Sequence, residues 1–586
     1  MKALRPRIFA FLILVFALLC ADRTWAQAPL EPAQMPARTI FYVIWRGAPA
    51  GDARKSNNLL ALWDDPDLAP VRAAMFQNMQ SGSEKDPSKP PVTREELEET
   101  SALLENSFVA GYLPKPQTKG GAAAKSTDRP WNGIFFVYDR TGKEAVLAKN
   151  ILRFRSREKE PSQISQITVA GSPAVKIERK DNVTYLSEHG KYAVVAGELP
   201  VFEEILGRLD NKSSTAPTLA QTAAYQEAQP LLRGGLIEFF LRIPQLKEFA
   251  PQAPADSPVK VGAVLDALKL ESIHSLSGHV VLEASKARVQ GAVLGDVAPG
   301  TLFDLWNNGQ QTPASLAFLT ADTVSYSETQ FNFSALYDLV KRAVRVALPQ
   351  QQQGGAEMME GLAASRIGMP IPDALALFSG EFASIQSNPG MDPQKAVYYL
   401  GIRNKPDTLK LLRTIFGDQL GSERSDGDTT FVKVSLGGGQ NSTGVAQWNF
   451  YHLAVTPAFV LGSSRGETLR EALAKRSSAN NPAAAVLPAA FQSARTQFPA
   501  TIDGFAFMDL QKVDYQALKT RWIEQAKKPT PAAKQSSAIP APQSDSGKVP
   551  DWLLNLNPEV FPRHLHYLAG ASWKDSKGIH FDEWLE

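Results

Sequence analysis

The stretch Tyr192-Ala193-Val194-Val195-Ala196-Gly197 recurs later in the chain as Pro457-Ala458-Phe459-Val460-Leu461-Gly462. Each copy is a mainly apolar run that ends at a glycine, and apolar residues at three- and four-residue steps follow it. This pattern predicts a buried strand that leads into a short amphipathic helix. A repeat at long spacing indicates that the chain of 586 residues contains two related halves.

Other segments recur in the same order and at a similar spacing. The matching pairs are 35–42 with 319–326, 61–64 with 335–338, 134–152 with 397–416, 225–228 with 491–494 and 240–243 with 507–510. Because order and spacing are both kept, we predict two homologous halves, residues 27–305 and 306–586.

Two hydrophobic periods alternate within each half. Alternating runs rich in β-branched and aromatic residues predict strands at 39–45, 174–178, 184–187 and 193–196, whereas three- and four-residue steps predict helices at 59–79 and 144–154. Turn-forming residues at 180–182, 188–191 and 437–439 separate consecutive strands, as in hairpins. The predicted fold class is therefore α+β, with each half a mainly antiparallel sheet covered by helices.

Three polar stretches predict mobile loops. They are residues 114–130 in the first half and residues 350–355 and 527–550 in the second. Their Gly, Pro, Ser, Ala and Gln content buries too little apolar surface to offset the entropy of ordering.

The first 26 residues have the pattern of a signal peptide. Basic residues precede an apolar run of 14 residues, Ile8 to Ala21, which is shorter than the ~20 residues that span a bilayer. Small residues at Thr24 and Ala26 fit a cleavage site, so we predict a mature chain that begins at Gln27. The expected location is the periplasm or the exterior of a bacterial cell.

Cys20 is the single cysteine and leaves open a lipoprotein anchor. Leu19 precedes it, where lipid-attachment motifs carry a small residue, and this favours the unanchored form. Cleavage after Ala26 leaves no cysteine in the mature chain. A disulfide framework, a thiol nucleophile and a cysteine-ligated metal are then excluded together.

The charge balance argues against nucleic acid as a partner. The chain has 62 basic and 60 acidic residues, and removal of residues 1–26 leaves 58 and 59, a formal net charge of −1. Binding to a phosphate backbone needs a concentrated positive field, which no long basic block provides. We also expect no membrane span in the mature chain.

The motif Ala321-Asp322-Thr323-x-x-Tyr326, its counterpart at 37–42 and the later Tyr-Ala-Val-Val resemble a bacterial family of exported proteins of unknown function. Members of that family open with Leu-Pro-Ala-Asp-Thr-x-x-Tyr. The chain departs from this pattern at Arg38, which replaces Asp, and at Thr320, which replaces Pro. The resemblance implies an envelope or secreted location and implies no catalytic residue.

Ser464 is the one candidate nucleophile, because Gly462-x-Ser464-x-Gly466 matches the nucleophile-elbow pattern between a strand and a helix. The same serine forms a capping-box sequence with Glu467, in which it begins the helix. The matching turn of the first half, residues 197–200, contains no serine. We therefore prefer the capping interpretation.

Two groups are candidate metal ligands. His564 and His566 alternate on a predicted strand, so their rings would face the same side, although two imidazoles do not complete a zinc site. Asp64, Asp65 and Asp67 provide carboxylates of the kind that calcium prefers, but Asp65 before a proline also starts a helix. We prefer the structural interpretation for both groups and expect no cofactor.

The sequence leads to two hypotheses for function. The first is an exported, non-enzymatic binding or assembly protein of the bacterial envelope, whose partner is an envelope protein, a peptide or a glycan. The alternative is a secreted serine hydrolase that uses Ser464. The first is preferred because no polar constellation recurs in the two halves.

Overall fold

A computed structural model describes residues 27–48, 52–75, 93–114, 133–156, 163–179, 182–210, 216–232, 234–245, 261–306, 312–348, 350–435, 450–476, 487–527 and 549–586. The predicted signal peptide with Cys20, most of the loops 114–130 and 527–550, and the turn residues 437–439 lie outside the described residues.

The chain divides into two compact units, and both combine helices with antiparallel sheet, which confirms the α+β class. The first unit comprises Met1–Phe249 and His274–Leu294. The second comprises Ala250–Ile273 and Gly295–Glu586. The second unit thus begins before the predicted boundary at 305, because the helix at Val261–Ala267 packs on the helix at Phe333–Ala347.

The described residues of the first unit form ten strands and six helices. The strands are β1 (Phe41–Trp45), β2 (Phe108–Tyr112), β3 (Ile134–Asp139), β4 (Gln163–Val169), β5 (Ser172–Glu178), β6 (Val183–His189), β7 (Tyr192–Ala196), β8 (Ile237–Arg242), β9 (Ile273–Leu282) and β10 (Ala287–Gly295). The helices are α1 (Asp52–Ser56), α2 (Asn58–Asp64), α3 (Arg94–Leu103), α4 (Glu144–Ser156), α5 (Leu199–Leu209) and α6 (Ala223–Ala228).

The second unit contains ten more strands and the remaining helices of the described residues. The strands are β11 (Ser325–Gln330), β12 (Phe378–Gln386), β13 (Val397–Ile402), β14 (Leu420–Asp426), β15 (Thr429–Ser435), β16 (Phe450–Val455), β17 (Phe459–Ser463), β18 (Gly504–Asp509), β19 (Tyr567–Lys574) and β20 (Gly578–Leu585). The helices are α7 (Val261–Ala267), α8 (Phe333–Ala347), α9 (Gln350–Ile367), α10 (Ile371–Ala376), α11 (Lys405–Phe416), α12 (Gly466–Lys475), α13 (Ala489–Arg495), α14 (Tyr515–Lys527), α15 (Asp551–Asn555) and α16 (Val560–His564).

Strand pairing gives each unit an order of its own. In the first unit the order is β4-β5-β6-β7-β3-β2-β1-β8-β9-β10. In the second it is β14-β15-β16-β17-β13-β12-β11-β18-β19-β20. If the strands of each unit are numbered one to ten along the chain, both units have the spatial order 4-5-6-7-3-2-1-8-9-10. Consecutive strands four to seven form an antiparallel ribbon at one end of each sheet.

A helix covers this ribbon in each unit, because its apolar residues recur on one side. In α5, Phe202, Ile205 and Leu206 are fully buried against the sheet, as their spacing predicts. In α12, Leu469 is buried, but Leu473 is only half-buried. The second helix therefore covers its ribbon less completely than the first.

Each core also contains a buried tyrosine that donates a hydrogen bond to a buried carboxylate. In the first unit Tyr42 on β1 donates to Glu238 on β8 over 2.6 Å. In the second, Tyr326 on β11 donates to Glu328 on the same strand over 2.8 Å. Buried polar groups need such partners, since an unpaired one costs about 1–3 kcal/mol.

The loop predicted at 350–355 is wrong, because these residues form the first turns of helix α9. Glutamine has a good helix propensity, and four consecutive glutamines at 350–353 outweigh the cost of the two glycines that follow. Among the described residues, no helix combines the length and the apolar content needed to cross a bilayer.

Candidate functional site

A groove of about 840 Å³ lies in the second unit, between the ribbon β14–β16 and helix α12. Its residues come from the three strands and from the side of α12 that turns toward them. Helix α12 packs on β16, β17 and β13, so it covers the β16 side of the ribbon and leaves the space above β14 and β15 open. The groove is therefore formed within a single unit.

The strand register decides which side chains face the groove. Arg424 pairs with Phe431, and Lys433 pairs with His452, so these side chains lie on one face of the ribbon. The other face carries the alternate residues, and its valines are buried in a separate core with α11. Charged side chains and the imidazole of His452 thus share one face of the ribbon with the aromatic ring of Phe431.

The groove is strongly electropositive. Four cationic side chains line it, Arg424 and Lys433 on the strands and Arg470 and Arg476 on the helix, against one carboxylate, that of Asp426. Within the described part of the chain, Arg424 and Arg470 form no ion pair. Exposed cations held together on one surface attract anions.

Arg476 is fixed at the end of α12 by aromatic rings. Its guanidinium lies 4.9 Å from the ring centre of Phe459 and 5.7 Å from that of Phe318. Such cation–π contacts hold the position of the charge without neutralising it. The Nε of Arg476 is buried and has no hydrogen-bond partner among the described residues.

His452 lies against the first turn of helix α12. A Cβ atom added to Gly466 would lie 3.1 Å from Nδ1 of His452, so the glycine is what lets the ring approach the helix. Burial lowers the pKa of His452, and the positive charges of Lys433 and Arg470 lower it further. The imidazole is therefore neutral at pH 7 and can accept or donate a hydrogen bond.

The start of helix α12 adds to the positive potential. Its N-cap residue is Arg465, whose side chain makes no capping hydrogen bond to the first turn. Open N–H groups and the helix dipole both favour an anion near this end. The geometry thus provides charge and hydrogen-bond donors for an anionic ligand.

The predicted capping box at Ser464 is wrong. The helix begins one residue later, and Ser463 supplies the local contacts: its hydroxyl donates to the carbonyl of Ala396 over 2.9 Å and accepts from the N–H of Arg465 over 3.4 Å. The hydroxyl oxygen of Ser464 is buried and has no hydrogen-bond partner among the described residues. The structure therefore places no base beside this serine.

The strand predicted for His564 and His566 is also wrong. His564 is the last residue of helix α16, and β19 begins only at Tyr567. The proline at position 562 fits the first turn of a helix, which the alternation argument overlooked. The two imidazoles consequently do not alternate on one strand.

The acidic group at 64–67 has structural contacts. Asp64 forms a bidentate ion pair with Arg54, and both N–O distances are 2.5 Å. The side chain of Asp65 accepts a hydrogen bond from the N–H of Asp67 over 2.9 Å, at the start of a 3₁₀ turn. In the part of the chain that the structure describes, no three potential ligands of the His, Cys, Asp and Glu types cluster for a metal.

The groove residues are not among the sites that the sequence predicts. One signal was available: Arg424 and Asp426 alternate on β14 and Lys433 lies on the same face of β15, so three charges share one face of the hairpin. The cations of α12 carry no such signal, because charges on an exposed helix are common. Comparison of the chain with known protein families, characterised proteins and solved structures gives no match.

Proposed function

We propose that the chain is an exported binding protein of the bacterial envelope that holds an anionic ligand in the groove of its second unit. The observation that supports this function is the set of four cationic side chains facing one carboxylate in an open groove. Cations held close together repel one another, and an anionic ligand bound between them relieves this repulsion.

The ligand carries two or more anionic groups. Arg424 and Lys433 extend from the ribbon while Arg470 and Arg476 extend from the helix, so the charges line both walls of a groove larger than a single small anion requires. Phe431 offers an apolar surface between them. This arrangement suits a phosphate- or carboxylate-bearing glycan, in which a sugar ring packs on the aromatic side chain and the acidic groups contact the cations.

The export and duplication hypotheses form part of the same proposal. The identical strand order of the two units and the tyrosine–carboxylate pair in each core support divergence from one ancestral unit. The resemblance to exported proteins supports the location. Sequencing of the N-terminus after purification from the native host is expected to show Gln27 first, and a lipid-modified Cys20 would contradict this cleavage.

Calorimetric titration of the full chain tests the ligand class. The probes are inorganic pyrophosphate, a hexamer of galacturonic acid and neutral maltohexaose. We expect the two anionic probes to bind, with affinity that falls as salt is added, and maltohexaose not to bind. Equal binding of the neutral and the acidic hexasaccharide would contradict the proposal.

Helix α12 offers a matched pair of variants. Arg470→Ala removes a groove cation and is expected to weaken binding about 10-fold, which corresponds to about 1.4 kcal/mol. Lys475→Ala removes an exposed cation from the same helix outside the groove and should leave the affinity unchanged. If both variants lose affinity equally, the effect comes from net charge and not from the groove.

A further inference from the structure

A serine, a histidine and an aspartate form a hydrogen-bonded chain in the first unit. Ser172 opens strand β5, His189 closes strand β6, and Asp210 is the C-cap residue of helix α5. The β5–β6 register pairs Val175 with Leu186, and its continuation places Ser172 directly opposite His189. Three elements that are distant in sequence thus converge on one face of the ribbon.

The distances are those of direct hydrogen bonds. The Ser172 hydroxyl lies 3.0 Å from Nδ1 of His189, and Nε2 of the same ring lies 2.5 Å from Oδ1 of Asp210. The side chains of His189 and Asp210 are 19% and 20% exposed. Hydrogen bonds therefore hold the three side chains in place, and His189 and Asp210 remain partly accessible to solvent.

The carboxylate determines which ring nitrogen carries the proton. With Asp210 accepting a hydrogen bond from Nε2, the neutral ring has its free lone pair on Nδ1, directed at the Ser172 hydroxyl. A serine hydroxyl hydrogen-bonded to an imidazole that a carboxylate orients is the arrangement that makes serine nucleophilic. Geometry and roles define such a site, not the order of residues in the chain.

We propose that Ser172, His189 and Asp210 form an esterase site in the first unit, with Ser172 as the nucleophile. His189 acts as the general base and then as the general acid. Asp210 is a positioning residue, because it acts through the imidazole.

The reaction balances with water as the second reactant. The Ser172 Oγ attacks the carbonyl carbon of the ester while its proton moves to Nδ1 of His189. The bond from that carbon to the alcohol oxygen breaks, and the alcohol leaves with the proton from Nδ1. Water then attacks the acyl-serine, gives a proton to Nδ1 and releases the carboxylic acid, and the proton returns to Oγ.

The surroundings of Ser172 fit a small acyl group. The hairpin turn before it consists of Ala170 and Gly171, both with positive φ, so two consecutive backbone N–H groups precede the nucleophile. Consecutive N–H groups in turns are suitable donors to a developing oxyanion. Ser172 is partly exposed and Val169 and Ala174 beside it are buried, so we expect the site to accept an acetyl or similarly short acyl ester.

The test uses the full chain with p-nitrophenyl acetate as the substrate and a fluorophosphonate as a covalent probe. We expect ester hydrolysis above the buffer rate and a single adduct that peptide mass spectrometry locates on Ser172. Ser172→Ala should abolish both, and His189→Gln should lower kcat/KM at least about 100-fold. Labelling of the unmutated protein keeps the test decisive even where a variant is unstable.

Two controls separate catalysis from structure. Ser464→Ala changes the buried serine of the second unit and should retain full activity. Asp210→Glu should recover part of the rate that Asp210→Asn loses, and the pH profile of Asp210→Asn should change. We expect the two variants to have equal thermal midpoints. An adduct on another serine, no adduct at all, or activity that survives Ser172→Ala would overturn the proposal. Binding at the groove is measured separately, so either proposal can fail without the other.

Discussion

The two units differ in how side chains fill the space between the ribbon and the helix that covers it. In the first unit, Tyr185 of β6 lies 5.8 Å from Phe202 of α5, and apolar side chains close the space between ribbon and helix. In the second unit, Arg424 and His452 occupy the face that α12 covers, and the space remains open as the groove. One strand order therefore supports either a packed layer or a binding surface.

The helix and the ribbon both contribute to the difference, because the groove is lined by Arg424, Lys433 and His452 of the strands as well as by residues of α12. Ile205 in α5 is fully buried, whereas Leu473 in α12 is half-buried and lines the groove. Burial of a large apolar side chain stabilises a fold by about 1.5–3 kcal/mol, so a partly open ribbon gives up part of that free energy. The first unit should therefore depend on its helix more than the second does.

The largest effect is expected at the closed face. Phe202→Ala removes a fully buried ring that contacts Tyr185, and it should lower the free energy of unfolding of the first unit by about 4 kcal/mol. Denaturant titration followed by circular dichroism measures the change. A loss below about 1 kcal/mol would mean that the surrounding side chains fill the space. The first unit would then depend on its helix no more than the second does.

The second comparison concerns the buried carboxylates. Glu238 lies 3.3 Å from the guanidinium of Arg46, whereas Glu328 has no ion pair among the described residues. The pKa of Glu328 is raised from an ordinary value of 4.5 to about 7. Burial is the main cause and the charge of Glu381 contributes, whereas the hydrogen bond from Tyr326 and the charge of Arg495 oppose the rise.

Stability of the second unit should accordingly fall with rising pH. Between about pH 4.5 and 7 the folded state binds the Glu328 proton more tightly than the unfolded state, so increasing pH favours unfolding by up to about 3 kcal/mol. Glu328→Gln should remove this slope. Thermal midpoints at pH 5 and pH 8 measure it, and an unchanged slope in the variant would assign the pH dependence to other groups.

A smaller effect is expected at the open face. Leu473→Ala, which removes a half-buried side chain at the groove, should cost about 1 kcal/mol, a quarter of the loss expected for Phe202→Ala. The same denaturant titration provides the value. Equal losses at the two positions would show that the groove is closed in solution.

The smallest change in stability is expected for Gly466→Ala. The added methyl group would lie 3.1 Å from His452 Nδ1, so the ring must shift by a few tenths of an ångström. Stability should change by less than about 1 kcal/mol, because better helix propensity offsets the contact. Affinity for pyrophosphate should nevertheless decrease severalfold, and an unchanged affinity would exclude His452 from ligand contact.

The sequence predicted what local periodicity controls. The alternation at 193–196 and the helical steps at 202, 205 and 206 correctly located a strand and the buried side of a helix. Residues 350–355 were mispredicted because composition alone does not distinguish a loop from the start of a helix with two glycines. His564 was mispredicted because alternation over three residues is too short to define a strand.

The candidate sites were harder to predict, because they depend on strand register. Ser172 and His189 are 17 residues apart in the sequence and become neighbours only through the β5–β6 pairing. The cations of the groove likewise come from two hairpin strands and a helix, and nothing in the sequence shows that α12 leaves the ribbon open. Register and helix placement are long-range properties, which local residue patterns do not encode.

The tyrosine–carboxylate pairs restrict exchange of segments between the units. Glu238 lies opposite Ile44 of β1, whereas Glu328 of β11 lies opposite Phe505. A recombinant in which β11 replaced β1 would bring two carboxylates face to face in a core, and the reverse exchange would leave a tyrosine hydroxyl without its acceptor. Either product would fold poorly. The different positions of the two carboxylates thus make strands β1 and β11 non-interchangeable, although they hold the same place in the strand order.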